Sequence, residues 1–219
     1  MSNFLDYTPL VINGIELLTA IIITYIIFTR KWNDFKEVSF LIFIWFTFLC
    51  DAFGSFYSYV LEIPDNYFIL NFYTIISIPF LLYWYRNLIN SLLLRTTILS
   101  FIIIFLLLGL YNLLFFESKG QYLSILFLCG ALFLTISIMF YYIEQLFNDA
   151  KFNFKNNFIF WISVGQIIFY LGMIPMISLN KYIMPFLKSN PLSFYIILLT
   201  LNVILYSTYS IGFLWHQKK

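Results

Sequence analysis

The chain has 219 residues, of which 62% are hydrophobic and only 10% are charged, and its mean hydropathy is +0.90. Soluble domains carry about 25% charged residues, so this composition excludes a soluble globular protein. The formal net charge of +2 excludes little by itself. The apolar bulk of the chain predicts a membrane protein built from transmembrane helices.

Seven stretches are long and apolar enough to cross the hydrocarbon layer, which takes about 20 residues each. In chain order they are Pro9–Thr29, Val38–Val60, Asn66–Tyr85, Leu92–Phe116, Gln121–Leu146, Phe158–Ser178 and Leu192–Trp215. The connections between them are short. We therefore predict an all-α, polytopic seven-helix bundle that forms a single transmembrane domain over residues 1–219. Any site must then lie within the helices or at their ends.

The basic residues predict the orientation of these helices. With the N-terminus outside, the cytoplasmic group is Arg30, Lys31, Lys36, Arg86, Arg95, Lys151, Lys155, Lys218 and Lys219. The outer group is then Lys119, Lys181 and Lys188. This bias agrees with the positive-inside rule. It predicts an N-out, C-in protein, for which a bacterial inner (cytoplasmic) membrane is the natural location.

The first two spans each carry a carboxyl group within a stripe of polar or small residues. The stripes are Asn13, Glu16, Ala20 and Thr24, followed by Thr47, Asp51, Gly54, Ser55 and Ser58. At 1.5 Å per residue, Glu16 lies about 10 Å and Asp51 about 13 Å below the outer ends of their spans. A charge at the bilayer centre costs at least ~2.5–3.5 kcal/mol. These groups are therefore expected to face the interior.

The third and seventh spans add polar side chains to the same outer half. Together they complete the predicted ligand-binding set, which is Glu16, Asp51, Ser55, Asn71, Asn202 and Tyr206. We predict that this set lines an outward-facing polar pocket between helices one, two, three and seven. Two versions of the carboxylate pair stay open, because either one group is protonated or a cation lies between them. A plainer alternative is that Asp51 and the amides only form interhelical hydrogen bonds, worth about 0.6 kcal/mol on average, and that Glu16 extends its carboxyl group to water at the membrane surface.

The other spans give fewer indications of function. Ser100 is the one polar residue near the middle of the fourth span, which we predict to be peripheral and lipid-facing. Cys50 and Cys129 fall inside spans, where they are expected to pack as apolar residues. His216 is the sole histidine, so metal sites with several histidines and a bis-histidine haem are excluded. We expect no enzymatic activity, no cofactor, no bound metal and no nucleic-acid partner.

Helices three and seven share a pattern. "NFYTIISIPFLLYW" (71–84) and "NVILYSTYSIGFLW" (202–215) align Asn with Asn and Trp with Trp at the same spacing. With the apolar fourth span between them, this predicts a 3+1+3 helix repeat. The arrangement resembles the SWEET and PQ-loop sugar transporters, which implies that Asn71 and Asn202 lie at a central substrate site. The chain lacks the Pro-Gln pair of that group.

A second resemblance covers more of the chain. The stretches "DNYFILNFYTIISIPFLLYWY", "FYYIEQLF", "FIFWISVGQIIFYLGMIP" and "LNVILYSTYSIGFLW" resemble those of small seven-helix inner-membrane proteins of Bacteroidota. Genes for that group often lie beside genes for sensor histidine kinases. The resemblance implies a sensory or accessory role in signalling, with a cytoplasmic or membrane histidine kinase as partner.

Two functions compete on this reading. The first is a receptor-like or sensory accessory protein that binds a small or lipid-like ligand from outside. The second is a small-solute transporter of SWEET-like architecture, which needs a wettable path below Asp51. Bulky side chains occupy the inner half of the spans instead, namely Phe43, Trp45, Trp84, Trp161 and Trp215. The sequence therefore favours the receptor.

Overall fold

The computed structural model describes residues 2–59, 67–115, 123–148, 156–178 and 191–216. Within these ranges the chain forms seven α-helices and no strand. They are α1 (Ser2–Arg30), α2 (Phe35–Tyr59), α3 (Tyr67–Leu88), α4 (Leu92–Phe115), α5 (Ser124–Asn148), α6 (Phe158–Ser178) and α7 (Pro191–Trp215). Each is long and apolar enough to cross a membrane. The predicted all-α, seven-helix membrane protein is confirmed.

The helix bounds follow the predicted spans closely, and the main difference is at the N-terminus. Helix α1 begins at Ser2 rather than at Pro9, so Pro9 lies inside the helix, where it lacks the N–H that would bond to the carbonyl four residues earlier. Several predicted features lie outside the described residues. They are the span ends Val60, Asn66, Phe116 and Gln121 and the basic residues Lys119, Lys151, Lys155, Lys181, Lys188, Lys218 and Lys219.

One compact unit comprises Met1–Ser55 and Asn153–Lys219, and so contains α1, α6, α7 and α2 as far as Ser55. In this unit α7 packs against both α6 and α1. Glycines allow α6 to approach α7 closely. A Cβ atom added at Gly165 would collide with the Thr208 side chain, and one at Gly172 would lie 2.7 Å from Leu201.

The other compact unit comprises Phe56–Phe152 and contains α3, α4 and α5, each of which packs against the other two. Gly130 of α5 makes room for Ile78 and Phe105. Helices three to five thus form one compact group. The 3+1+3 repeat stays a prediction. Within its unit α4 is the least buried helix, with 17% of its span buried against 44% for α3 and α5. This exposure fits the predicted lipid-facing role.

The C-terminal end of α1 forms a cap that positions the residues that follow it. Lys31 has a φ of 51°, and the backbone N–H of Trp32 donates to the Ile27 carbonyl (3.1 Å). This is the hydrogen-bond pattern of a Schellman cap, with Lys31 in the left-handed position that glycine usually takes. The cap turns the chain so that Trp32 packs into the unit, where it is 3% exposed.

Candidate functional site

The carboxyl groups of Glu16 and Asp51 come together in the first unit. Glu16 is only 1% exposed, and its Oε1 accepts a hydrogen bond from the hydroxyl of Tyr206 on α7 (2.7 Å). Asp51 on α2 is half-buried and lies within hydrogen-bonding reach of the Glu16 side chain. Three helices therefore contribute one side chain each to what we call the carboxyl site, defined by Glu16, Asp51 and Tyr206.

The chemistry of this contact requires a proton. Glu16 Oε2 is buried, and among the described residues no N–H or hydroxyl group donates to it. An ionised carboxylate can only accept hydrogen bonds, so Glu16 and Asp51 bond to each other only when one of them is protonated. Among the described residues no lysine, arginine or histidine pairs with either group. Two adjacent carboxylates without a counter-charge in an apolar setting favour the singly protonated pair.

Helix geometry explains why these two residues meet. Glu16 follows Thr8, the first residue of its span, by about 12 Å along the axis, and Asp51 precedes the last residue of its span, Ser58, by about 10 Å. The two helices run in opposite directions, so these depths correspond to the same level. One turn nearer the N-terminus of α1, Asn13 Nδ2 donates to Ser55 Oγ (2.8 Å). Ser55 thus lies above the carboxyl site, one turn along α2 from Asp51.

Polar links continue below the carboxyl site. Ser210 of α7 contacts Thr19 of α1 through their hydroxyl groups (3.4 Å), and Trp45 Nε1 of α2 donates to Thr24 Oγ1 of α1 (3.0 Å). The indole of Trp45, predicted as part of an apolar floor, therefore makes a polar contact. These links fix α1 against both α2 and α7.

An aromatic group fills the next level of the same unit. Phe40 of α2 meets Tyr209 of α7 edge to face (5.0 Å between ring centroids) and stacks on Phe213 (6.0 Å). All three rings are nearly fully buried. Bulky rings thus fill this level of the unit, but none of these three belongs to the predicted floor of Phe43, Trp45, Trp84, Trp161 and Trp215. Trp215 is 50% exposed and packs against Trp161 (5.2 Å) instead of closing the floor.

The two predicted asparagines make other contacts. Asn71 lies in the unit of α3–α5, where its Oδ1 accepts a hydrogen bond from the backbone N–H of Leu123, next to the start of α5 (3.0 Å). Asn202 is in the unit of the carboxyl site, but its Nδ2 donates to Leu198 O of its own helix (2.8 Å). The Asn71 bond fits the plainer alternative of hydrogen bonding between helices, whereas the Asn202 bond stays within its own helix.

A second polar cluster at the end of the same unit was not predicted. Arg30 of α1 donates to the carbonyls of His216 (2.6 Å) and Leu214 (3.1 Å) at the end of α7. His216 Nδ1 lies 2.8 Å from Asn156 O, and its Nε2 lies 3.9 Å from Oε1 of the buried Glu37. A basic side chain at a helix C-terminus is favourable because it satisfies unpaired carbonyls. We call Arg30, Glu37 and His216 the end cluster.

A third buried acid, Glu144 of α5, also escaped prediction. Its two oxygens accept hydrogen bonds from the backbone N–H groups of Asn90 (2.7 Å) and Ser91 (3.0 Å), at the turn where α4 begins. Glu144 is two residues from the end of the predicted fifth span and Glu37 lies outside the second. Their position near span ends resembled that of ordinary interfacial residues. The sequence signal that could have identified Glu144 is a carboxyl group at a span end, where it can accept hydrogen bonds from the backbone N–H groups at the start of a neighbouring helix.

The chain gives no indication of a metal centre in its described part, where no group of three or more histidine, cysteine or acidic side chains comes together. The geometry instead marks the carboxyl site as the place where α1, α2 and α7 could hold a small polar ligand. Comparisons with family models, with curated proteins and with solved structures found no match to this chain.

Proposed function

We propose that this integral membrane protein is a receptor-like or sensory accessory protein that binds a small ligand at the carboxyl site. The observation that carries the proposal is the pair formed by the buried Glu16 and the half-buried Asp51, beside which no basic side chain of the described residues lies. Acidic groups kept inside membrane helices without a basic partner are expected to serve binding.

The same helices connect the carboxyl site to the end cluster. Helix α7 contacts α1 through Tyr206 and Glu16, and at its end Arg30 caps the final carbonyls of α7. A ligand that separates Tyr206 from Glu16 would change how α1 lies against α7. Because Arg30 of α1 caps the C-terminal end of α7, that change in helix packing would reach His216. This gives a physical route by which occupancy of the site could be signalled.

Orientation and location follow from the basic residues in this proposal. Arg30, Lys31 and Lys36 lie at the end of the unit that holds the end cluster. The positive-inside rule places this end in the cytoplasm, which puts the carboxyl site in the outer half of a bacterial inner membrane. The partner that the resemblance implies, a sensor histidine kinase, would then meet the end cluster and the turn that follows Arg30.

A small-solute transporter is the alternative function. A proton shared by two carboxyl groups within a helix group would suit a proton-coupled transporter. The buried rings of Phe40, Tyr209 and Phe213 oppose this function, because they fill the level below the carboxyl site in the same unit. Transport would require these rings to separate in each cycle, whereas signalling would not.

One experiment tests the proposal and separates it from transport. The full chain is reconstituted in lipid nanodiscs, and small polar solutes of different charge are screened for a rise in melting temperature in the wild type and in D51N. We expect at least one solute to stabilise the wild type and not D51N, and to change hydrogen exchange around His216. The proposal fails if no solute gives an Asp51-dependent rise. Asp51-dependent counterflow of the solute in proteoliposomes would replace the receptor with the transporter.

A further inference from the structure

The arginines of the chain, Arg30, Arg86 and Arg95, have different surroundings. Arg30 caps the end of α7, where its guanidinium group donates to the carbonyls of His216 and Leu214. Arg86 near the end of α3 and Arg95 near the start of α4 have no such acceptors. The Nε atom of each is buried without a partner, and no carboxyl group of the described residues forms an ion pair with either. Because an arginine side chain stays charged in proteins, loss of a proton cannot resolve this arrangement.

Arg86 and Arg95 lie at one level, on either side of the turn that joins α3 to α4. Helix α3 ends at Leu88, helix α4 begins at Leu92, and the two helices pack against each other. The rise of a helix places Arg86 about 3 Å before the end of α3 and Arg95 about 4.5 Å after the start of α4. Packed helices lie about 8–10 Å apart. Two arginine side chains that reach toward one anion can span this distance.

Both arginines adjoin the packed sides of their helices. Leu82, one turn before Arg86, and Ile98, one turn after Arg95, are 0% exposed. Each arginine side chain therefore starts beside residues inside the unit, which explains why its Nε atom is buried. Arg86 and Arg95 are nevertheless partly exposed as whole residues. An anion from outside the protein can therefore reach them.

The charges at this end of the unit do not balance. In the described part of the unit the charged residues are Arg86, Arg95 and Glu144. Glu144 uses both oxygens to accept hydrogen bonds from the backbone N–H groups of Asn90 and Ser91, in the turn between the arginines. Two positive charges and one negative charge leave one positive charge. A positive group in the first turns of a helix, as Arg95 is, also opposes the helix dipole. One external anion would correct both.

We propose that Arg86 and Arg95 bind the phosphate group of an anionic phospholipid, at a site independent of the carboxyl site. Guanidinium groups match phosphate oxygens with paired N–H donors. The arginines lie just inside the ends of their spans, where the hydrocarbon layer meets the headgroups, at the end that the positive-inside rule assigns to the cytoplasm.

Neighbouring apolar residues favour a lipid over a free phosphate ester. Leu92 and Leu93, at the start of α4, are 79% and 73% exposed. A phospholipid would place its phosphate on the arginines and its acyl chains against these leucines, whereas a free phosphate ester would use only the arginines. Basic pockets between transmembrane helices on the cytoplasmic side bind anionic headgroups in this way.

The test measures lipid binding by native mass spectrometry of the full chain in a non-ionic detergent. The probes are dioleoyl phosphatidylglycerol, which is anionic, and dioleoyl phosphatidylcholine, which has the same chains and no net charge. Glycerophosphoglycerol, the anionic headgroup without chains, is added as a competitor. The variant R86Q/R95Q removes both charges. The matched control K31Q/K36Q removes two charges from exposed lysines of the other unit.

We expect phosphatidylglycerol to bind the wild type and K31Q/K36Q equally, and to bind R86Q/R95Q at least about tenfold more weakly, because charge-assisted hydrogen bonds are lost. Phosphatidylcholine should bind the wild type at least about fivefold more weakly than phosphatidylglycerol, because its choline group offsets the phosphate charge. Glycerophosphoglycerol at the lipid concentration should not displace the lipid.

Several results would overturn the inference. No binding of phosphatidylglycerol, or equal binding by R86Q/R95Q, would remove the site. An equal loss in K31Q/K36Q would show general attraction to an anionic lipid, and equal binding of phosphatidylcholine would remove the requirement for charge. Displacement by glycerophosphoglycerol would replace the lipid with a free phosphate ester. The comparison of probes uses the wild type alone, so it decides the inference even if R86Q/R95Q does not fold.

Discussion

Two buried glutamates in this protein have opposite surroundings. Glu144 has both oxygens bound by backbone N–H groups at the start of α4. Glu16 has one oxygen bound by a tyrosine and a second carboxyl group beside it, and no described N–H group donates to its other oxygen. The first arrangement stabilises the fold, because each group meets a partner that it satisfies. The second arrangement, around Glu16, lowers the stability of the fold, as is common for groups that serve binding.

The largest expected effect is at Glu144, the glutamate with a structural role. E144A removes both acceptors from the N–H groups of Asn90 and Ser91. Hydrogen bonds to charged groups contribute about 1.5–3 kcal/mol each, less where water can replace the lost partner, so we expect a loss of about 2–4 kcal/mol in the free energy of unfolding. SDS titration in bicelles measures this. E144Q keeps one acceptor oxygen and should lose about half as much. A wild-type stability for E144A would show that the capping bonds contribute nothing.

The next largest effect is expected where α6 packs against α7, in the unit that contains Glu16. In G165A the new Cβ meets the Thr208 side chain and approaches Leu205 O within 3.3 Å, so α6 and α7 must separate. We expect a loss of about 1–3 kcal/mol in the same titration. G14A is the matched control, because no atom lies within 4 Å of its Cβ, and it should be neutral or slightly stabilising. Equal stabilities of G165A and G14A would contradict close packing of these helices.

A smaller effect is expected at the contact between α7 and the carboxyl site. Y206F removes the single hydroxyl donor of Glu16 Oε1 and leaves the ring in place. Loss of one such bond costs about 0.5–1.5 kcal/mol, and it leaves Glu16 Oε1 without its tyrosine donor. The unfolding titration gives the stability change. A Y206F variant as stable as the wild type would mean that this bond is not formed in the membrane.

The smallest expected effect is at Glu16, and it gives the most direct comparison of Glu16 with Glu144. E16Q keeps an acceptor for Tyr206 and gains an NH₂ group that can donate to Asp51, so every group gains a partner. We expect its free energy of unfolding to lie within about 0.5 kcal/mol of the wild type or above it. The same Glu-to-Gln change at position 144 should be clearly destabilising. If E16Q loses as much stability as E144Q, the two glutamates have the same structural role.

The sequence predicted the seven helices because hydrophobic length alone determines them. It also predicted that Glu16 and Asp51 lie in one pocket, since their depths could be counted from the ends of their helices, and it added Tyr206 from the polar stripe of the seventh span. The partners of Asn71 and Asn202 could not be predicted, because a helical amide can bond to its own helix, to a turn or to a neighbour at similar cost. Glu37 and Glu144 were missed because their roles depend on turns whose N–H groups and neighbours only the fold brings together.

The central claim is that Glu16 and Asp51 share one proton. Infrared difference spectroscopy of the full chain in nanodiscs measures this directly, through the C=O stretch of a protonated carboxyl group. The account predicts such a band in the wild type, its loss in both E16Q and D51N, and its persistence in E144Q and E37Q. A wild-type spectrum without a protonated carboxyl band, or one whose band survives both substitutions, would contradict the account.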